Sequence, residues 1–367
     1  MAPFLIDLEK TNTQSSLVRL EPALNAFGSM LLVAAEEEEP GIHEWVAKTR
    51  ARMSSEERAR HKLVMIGLHY AILPHRSGLT FEEYLDRLES TSASKLKDRL
   101  LYAYSKIRMT SESQKEADAP IQWDNVLASP KNYVSFLRHR FGDESTDQEM
   151  ESEAYRYVID PEAMKNLILT HLRWFWETYL QAEWIRVRPM LEASARAFNQ
   201  IDLSDKSRAE TIQFITGKEI NELKWGRDLT AAKELVFIPN VHFGPYMRAT
   251  RIGDSFYIYF GARLPEGSDV RVPELDRAEI VARLSALADD TRLNILQMIV
   301  EKGEMRSQEI MEATNLSQPS VSRYLTQLTA TGYLQERRES GGKVYVLNRD
   351  RVEKTLKAVH AFLLRGS

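Results

Sequence analysis

The spacing of apolar residues changes period along this chain, and that change sets what the chain can fold into. From Arg19 to about Gln200 they recur at intervals of three and four, the mark of helices with one buried face. The spacing predicts helices over 19–35, 42–52, 54–73, 80–90, 93–108, 130–141, 147–158, 160–182, 183–200 and 203–217. Ser54-Ser55-Glu56-Glu57 puts a hydroxyl and acids in one first turn, Thr80 to Glu83 has capping-box spacing, and Asp160-Pro161 starts another helix. Residues 1–18 read as a first strand or a loose arm, and Thr110 to Pro120 as a loop.

The period then shortens. Leu235 to Ile238 and Ser255 to Phe260 are β-branched and aromatic, with Gly253-Asp254 as a turn between them. This predicts a small antiparallel sheet at 234–262 that closes the helical domain. The Pro/Gly-rich stretch that follows reads as a linker over 265–276. The expected organisation is mainly α, with a helical domain over 1–264 and a second domain over 277–367. A length of 367 residues suits two or three domains of ordinary size.

Composition narrows the function classes. With no cysteine there are no disulfides, thiolate metal sites, iron–sulfur clusters or cysteine nucleophiles. No apolar run approaches the roughly 18 residues of a membrane span, and the first residues lack a signal-peptide pattern, so a cytoplasmic location is expected. Residues 277–367 carry 14 Lys/Arg against 11 Asp/Glu, a net +3, which leaves 35 against 42, a net −7, for residues 1–276. A basic end on an acidic body suggests that one end meets a polyanion.

The last quarter gives that suggestion a motif. Asp289 and Asp290 cap a helix over 291–302 that Gly303 ends, and a short helix over 307–314 follows. Asn315-Leu316-Ser317 makes a tight turn, and Ser317 caps a third helix over 318–331 with Val321, Leu325 and Leu328 inward. Two helices joined by such a turn form a helix-turn-helix, whose second helix enters the DNA major groove. Its outward face, Gln318, Ser320, Ser322, Arg323, Thr326 and Gln327, has hydrogen-bonding groups, one cation and no acid. Next come a strand over 333–338, the turn Ser340-Gly341-Gly342 and a strand over 344–347, a hairpin flanked by Arg337, Arg338 and Lys343. A final helix over 349–364 shows the stripe Val352, Leu356, Val359 and Leu363, suited to facing a second copy.

The runs Leu287-Ala288-Asp289-Asp290-Thr291-Arg292-Leu293-Asn294-Ile295-Leu296 and Leu316-Ser317-Gln318-Pro319-Ser320-Val321-Ser322-Arg323-Tyr324-Leu325, with the basic hairpin after them, resemble an ArsR-type winged-helix repressor. The resemblance implies a homodimer that binds a double-stranded DNA operator and releases it when an effector binds. It places Ser317, Gln318, Ser320, Ser322, Arg323, Tyr324 and Thr326 at the bases or nearby phosphates, and Arg337, Arg338 and Lys343 at the backbone. The family's metal-sensing members carry a cysteine-containing box where this chain reads Glu304-Met305-Arg306-Ser307-Gln308-Glu309. A second family metal site, on the last helix, finds only Asp350 and an isolated His360 here. No metal site and no cofactor are therefore expected, and Tyr324 replaces the histidine usual in its slot. The long N-terminal region also resembles the helical domain that some ArsR-type regulators carry.

Upstream, Trp174, Phe175, Trp176, Tyr179 and Trp184 form either an effector pocket for an apolar or aromatic molecule or plain core. His242 with Tyr246 and Arg248 are ligand candidates or structural loop residues. No catalytic constellation is present: Gly217-Lys218 lacks the earlier glycine and the following hydroxyl of a phosphate loop, and HExxH, GxSxG and GxGxxG are missing. The sequence thus points to a DNA-binding repressor controlled at its N-terminal domain, or to an adaptor that docks a protein partner.

Overall fold

A computed structural model describes residues 16–35, 41–107, 110, 112–113, 120–218, 226, 229–265, 273–339 and 342–364, with the side chains of Ser16, residues 273–276, Arg338 and Glu339 left aside. The chain divides into two compact units. One holds Glu21–Glu36 and Val46–Arg186, and the other Met1–Leu20, Glu37–Trp45 and Val187–Ser367. Among the described residues no helix is long and apolar enough to cross a membrane.

A short strand, β1 (Ser16–Val18), comes first. The helical unit then follows the predicted order: α1 (Pro22–Ala34), α2 (Glu44–Arg52), α3 (Ser55–Lys62), α4 (His69–Ile72), α5 (Phe81–Ser90), α6 (Ala93–Lys106), α7 (Trp123–Val126), α8 (Pro130–Phe141), α9 (Gln148–Val158) and α10 (Pro161–Phe175). The expected start signals are used. Ser54 and Thr80 each form a full capping box, with Glu57 and Glu83, and the Asp160 carboxylate accepts from Ala163 N at 3.1 Å ahead of Pro161. Such caps are worth about 1 kcal/mol each. Of the expected loop over 110–120, only Thr110, Glu112, Ser113 and Pro120 are described.

Two π-helical turns alter the expected boundaries. The helix expected over 54–73 breaks into α3, a π turn at Leu63–Gly67, and α4. The helices expected over 160–182 and 183–200 are one run, α10, a π turn at Trp176–Leu180, and α11 (Gln181–Asn199). Just ahead of these turns sit two buried histidines, His61 and His171, with Nδ1 and Nε2 2.8 Å apart, His61 Nε2 2.9 Å from Met30 O and Phe175 stacked on the His61 ring.

In the second unit, α12 (Arg208–Thr216) is followed by β2 (Glu234–Asn240), β3 (Arg248–Ile252) and β4 (Ser255–Gly261). The antiparallel sheet expected at 234–262 is instead a mixed sheet in the order β1-β2-β4-β3. β2 runs parallel to both β1 and β4, and Gly253-Asp254 turns the chain from β3 into β4. The physical reason is a third strand that the polar spacing of Arg248 to Ile252 concealed. Phe237, Phe256, Ile258 and Phe260 pack under Ala195 and Phe198 of α11 and Ile212 and Ile215 of α12, so the sheet has a core of its own. It therefore closes an α/β layer of this unit, not the helical unit.

The C-terminal part holds α13 (Pro273–Leu287), α14 (Asp290–Lys302), β5 (Met305–Arg306), α15 (Ser307–Thr314), α16 (Gln318–Ala330), β6 (Leu334–Glu339), β7 (Gly342–Leu347) and α17 (Arg349–Leu363). α13 begins inside the expected linker, whose residues 266–272 lie outside the described ones. Its core joins Ile295, Ile299, Ile310, Val321, Leu325, Leu328 and Tyr333. The order β5-β7-β6 adds a strand that two residues of sequence could not announce.

Candidate nucleic-acid interface

The acidic-basic run at the start of the motif is a helix corner. The Asp289 carboxylate accepts from Arg292 N at 2.9 Å, capping α14. The Arg292 guanidinium reaches back and donates to Ala286 O at 2.7 Å and Ser285 O at 2.8 Å, at the end of α13. One acid thus serves the next helix and one cation the previous helix, each at the end its dipole favours.

The turn between α15 and α16 is equally specific. Asn315 is the one non-glycine described residue with positive φ, at 54°. Asn tolerates this left-handed conformation better than most residues. Leu316 packs on the core. Ser317 is the extended N-cap of α16, as expected, but its hydroxyl lies 2.9 Å from Ser320 Oγ and makes no cap bond. The Pro319 ring falls in the first turn, where its missing N–H costs nothing.

α16 presents Gln318, Ser322, Arg323 and Thr326 to solvent beside exposed Ser317, with Ser320 half-buried and no acid on the helix. Tyr324 is half-buried, its ring 5.9 Å from the Arg292 guanidinium carbon and 5.7 Å from that of Arg323. Gln327, expected outward, is buried at 1% exposure, and its amide atoms have no hydrogen-bond partner. The inward arc of α16 is wider than Val321, Leu325 and Leu328 alone because Thr331 and Tyr333 pack on the same flank.

The hairpin forms with Arg337 opposite Val344 and Arg338 opposite Lys343. Its cations are already engaged. Arg337 is ion-paired with Glu304, and Lys343 Nζ lies 2.9 Å from Glu336 Oε1. Both pairs join residues on different strands or loops, which is why sequence reading missed the acids. The Arg338 side chain and the turn residues 340 and 341 lie outside the described ones.

The upstream ligand candidates separate into groups. Trp174 meets Tyr179 edge-on at 5.4 Å across the π turn, and both pack near His171 and Phe175. Trp176 instead stacks on Phe81 at 4.6 Å and donates to Glu82 Oε1 at 3.2 Å. Phe175, Trp176 and Tyr179 are buried, while Trp184 is half-buried and makes no ring contact with them among the described residues. His242 is buried against Trp45, stacked at 4.5 Å, with Asn240 Oδ1 accepting from its backbone N–H. Tyr246 is also buried, under the Arg248 guanidinium at 5.6 Å.

Residues 289–336 match the family model of bacterial regulatory proteins of the arsR family. Over 62 residues the chain is 42% identical to the arsenic resistance transcriptional regulator ArsR1 of Pseudomonas putida, covering 17% of this chain and 48% of that protein. Over 67 residues it is 43% identical to a probable mercury resistance operon repressor of Streptomyces lividans, covering 18% and 53%. ArsR2 of P. putida is 41% identical over 63 residues, 17% of this chain and 55% of that protein. The chain spans about half the length of the curated relatives it matches. An ArsR-family helix-turn-helix domain stands at its C-terminal end, and its relatives over that segment are transcriptional regulators.

Proposed function

We propose that this chain is a homodimeric, sequence-specific DNA-binding regulator, acting as a repressor, with its winged helix on the operator. The observation that carries the reading is the exposed acid-free face of α16 beside a basic hairpin, within a segment matching the arsR family. Gln318, Ser320, Ser322 and Arg323 address base edges or nearby phosphates, Ser317, Tyr324 and Thr326 border them, and Arg337, Arg338 and Lys343 hold the backbone. A second copy fits the exposed apolar stripe of Val281 and Leu284 on α13 with Leu356 and Leu363 on α17. Two-fold symmetry then predicts half-sites about 34–36 Å apart. The N-terminal units take the controlling signal, a small molecule or a protein partner.

The test is binding of the full chain to its own promoter DNA across a salt series, against scrambled DNA. The expected result is sequence-dependent binding whose logarithm falls linearly with log salt, by about 0.9 per neutralised phosphate. Equal, weak binding to both DNAs would overturn the reading and favour the adaptor. Arg323→Ala should cost about 1–3 kcal/mol and relax sequence preference. A uniform loss across sequences would make Arg323 a phosphate contact.

A further inference from the structure

Away from the DNA-facing surface, a second group of cations gathers where the α/β layer meets the C-terminal helices. α12 ends at Gly217, whose φ is 70°, and a Cβ there would collide with Nη1 of Arg263, just past β4. Lys218 follows directly. On the other side, Arg351 of α17 lies over Gly332, where a Cβ would stand 2.6 Å from its Nε. Both guanidinium groups thus occupy space that glycines leave open. Between them, Arg283 of α13 is ion-paired with Glu279.

These five groups form one electrostatic cluster. Arg263, Arg283 and Arg351 each act on both Lys218 and Glu279. Burial pushes the Lys218 ammonium down to about 7, and Arg351 and Arg263 push it further in the same direction. Burial raises Glu279, but Arg283, Arg263 and Arg351 outweigh it and hold the carboxyl below its ordinary range. Among the described residues the cluster has four cationic side chains to one carboxylate. Glu279 is taken by Arg283, whereas the Lys218 ammonium and the Arg263 guanidinium make no hydrogen bond or ion pair, and Arg263 Nε is buried.

A half-buried cation without a partner is costly, and such a group calls for a counter-charge. The frame holding these cations is well anchored. Ser194 Oγ donates to Arg263 O at 2.6 Å, and Tyr333 Oη donates to Arg283 O at 3.3 Å and to Thr355 Oγ1 at 3.2 Å. Planar guanidinium forks beside an ammonium suit a tetrahedral dianion, whose several oxygens accept from more than one cation. A monocarboxylate would supply one charge and two oxygens, too few for this excess.

We propose that Lys218, Arg263 and Arg351 form a binding site for a phosphate group, free or carried as a phosphomonoester, at the joint between the α/β layer and helices α13 and α17. Its binding does not depend on the DNA reading. Its regulatory consequence does: a ligand gripped by the sheet-side cations and by α17 at once would bias the helices that carry the exposed apolar stripe.

The full chain would be titrated at pH 7 and constant ionic strength with inorganic phosphate and with glycerol 3-phosphate, binding being read by calorimetry and by thermal unfolding. Sulfate and chloride series would measure the general salt effect. Saturable heat and a saturable rise in melting temperature are expected. Lys218→Met and Arg263→Gln should each weaken binding about tenfold or more, about 1.4 kcal/mol. Lys302→Met, on an exposed turn outside the cluster, should bind as the parent does. Lys218→Met should also melt higher than the parent without added anion, because it removes an unpartnered charge; this reads the cluster even where binding is lost.

Tighter binding of glycerol 3-phosphate supports the site and names an esterified ligand, and tighter binding of inorganic phosphate supports it and names the free ion. An unsaturable rise, or equal affinity in parent and both cluster variants, would overturn the proposal. Operator binding, measured with and without phosphate, separates the two readings. A chain that binds phosphate but no operator keeps the site and loses the regulator; one that binds operator but no phosphate loses the site alone.

Discussion

Single side chains decide several local outcomes. Arg292 was legible as part of a family-like run, but its task was not, because the carbonyls it holds belong to the preceding helix. Arg292→Met should destabilise the C-terminal domain by about 2–3 kcal/mol in urea unfolding, since charged hydrogen bonds and two carbonyls are lost together. Unchanged stability would mean that water replaces the guanidinium. The Arg337–Glu304 pair is half-exposed on both sides and so is worth little by itself. Glu304→Gln should release Arg337 and tighten operator binding by up to about fivefold at low salt; weaker binding would show that Glu304 positions the hairpin. In the helical unit, burial first and Asp147 second raise the Glu151 carboxyl to about 8. Between its ordinary range and that value the native chain keeps a proton that the unfolded chain has released, so stability falls as pH rises from about 5 to 8. Glu151→Gln should remove this loss, gaining on the order of 2 kcal/mol at pH 8 and little at pH 5. Parallel pH profiles for parent and variant would refute it. The buried histidines act in the opposite sense. Burial lowers His61 to about 4 and His171 to about 3, so their contribution is present above pH 6.5 and is lost as pH falls toward 4.

Elements obey their sequence signals where the signal is local. The capping boxes at Ser54 and Thr80, the Asp160-Pro161 start and the Asn315 turn all form as their chemistry requires. The turn between α15 and α16 gives a clear test: Asn315→Gly should leave stability and DNA binding nearly unchanged, while Asn315→Val should cost about 1–2 kcal/mol, because a β-branched residue resists positive φ. If Val is accommodated without cost, the turn is held by Leu316 packing instead. Signals that depend on register were lost. The π turn at 176–180 brings Trp174 over Tyr179, five residues away, and sends Trp176 to Phe81, so an apparent aromatic cluster became two separate contacts. Gln327 likewise reads as outward in a simple helical period, yet its neighbours Thr331 and Tyr333 bury it.

At the scale of the whole molecule, the exposed stripe on α13 and α17 predicts the assembly. Leu356→Glu with Leu363→Glu should give a monomer in sedimentation and lose operator affinity, since one winged helix then reads one half-site. A dimer that persists in this double variant would place the interface elsewhere. The sequence alone determined the helical period, most helix starts, the helix-turn-helix with its hairpin, and the polar face of α16, because each rests on contacts within a few residues. Only the tertiary structure decided which strands lie parallel, since β2 and β4 are joined through β3 and no local spacing encodes their direction. It alone brought Glu304 to Arg337, and Lys218, Arg263 and Arg351 into one cluster, because Coulomb interactions act through space between residues far apart in the chain. The same distance explains why the sheet, expected to close the helices before it, belongs with the unit that carries the winged helix.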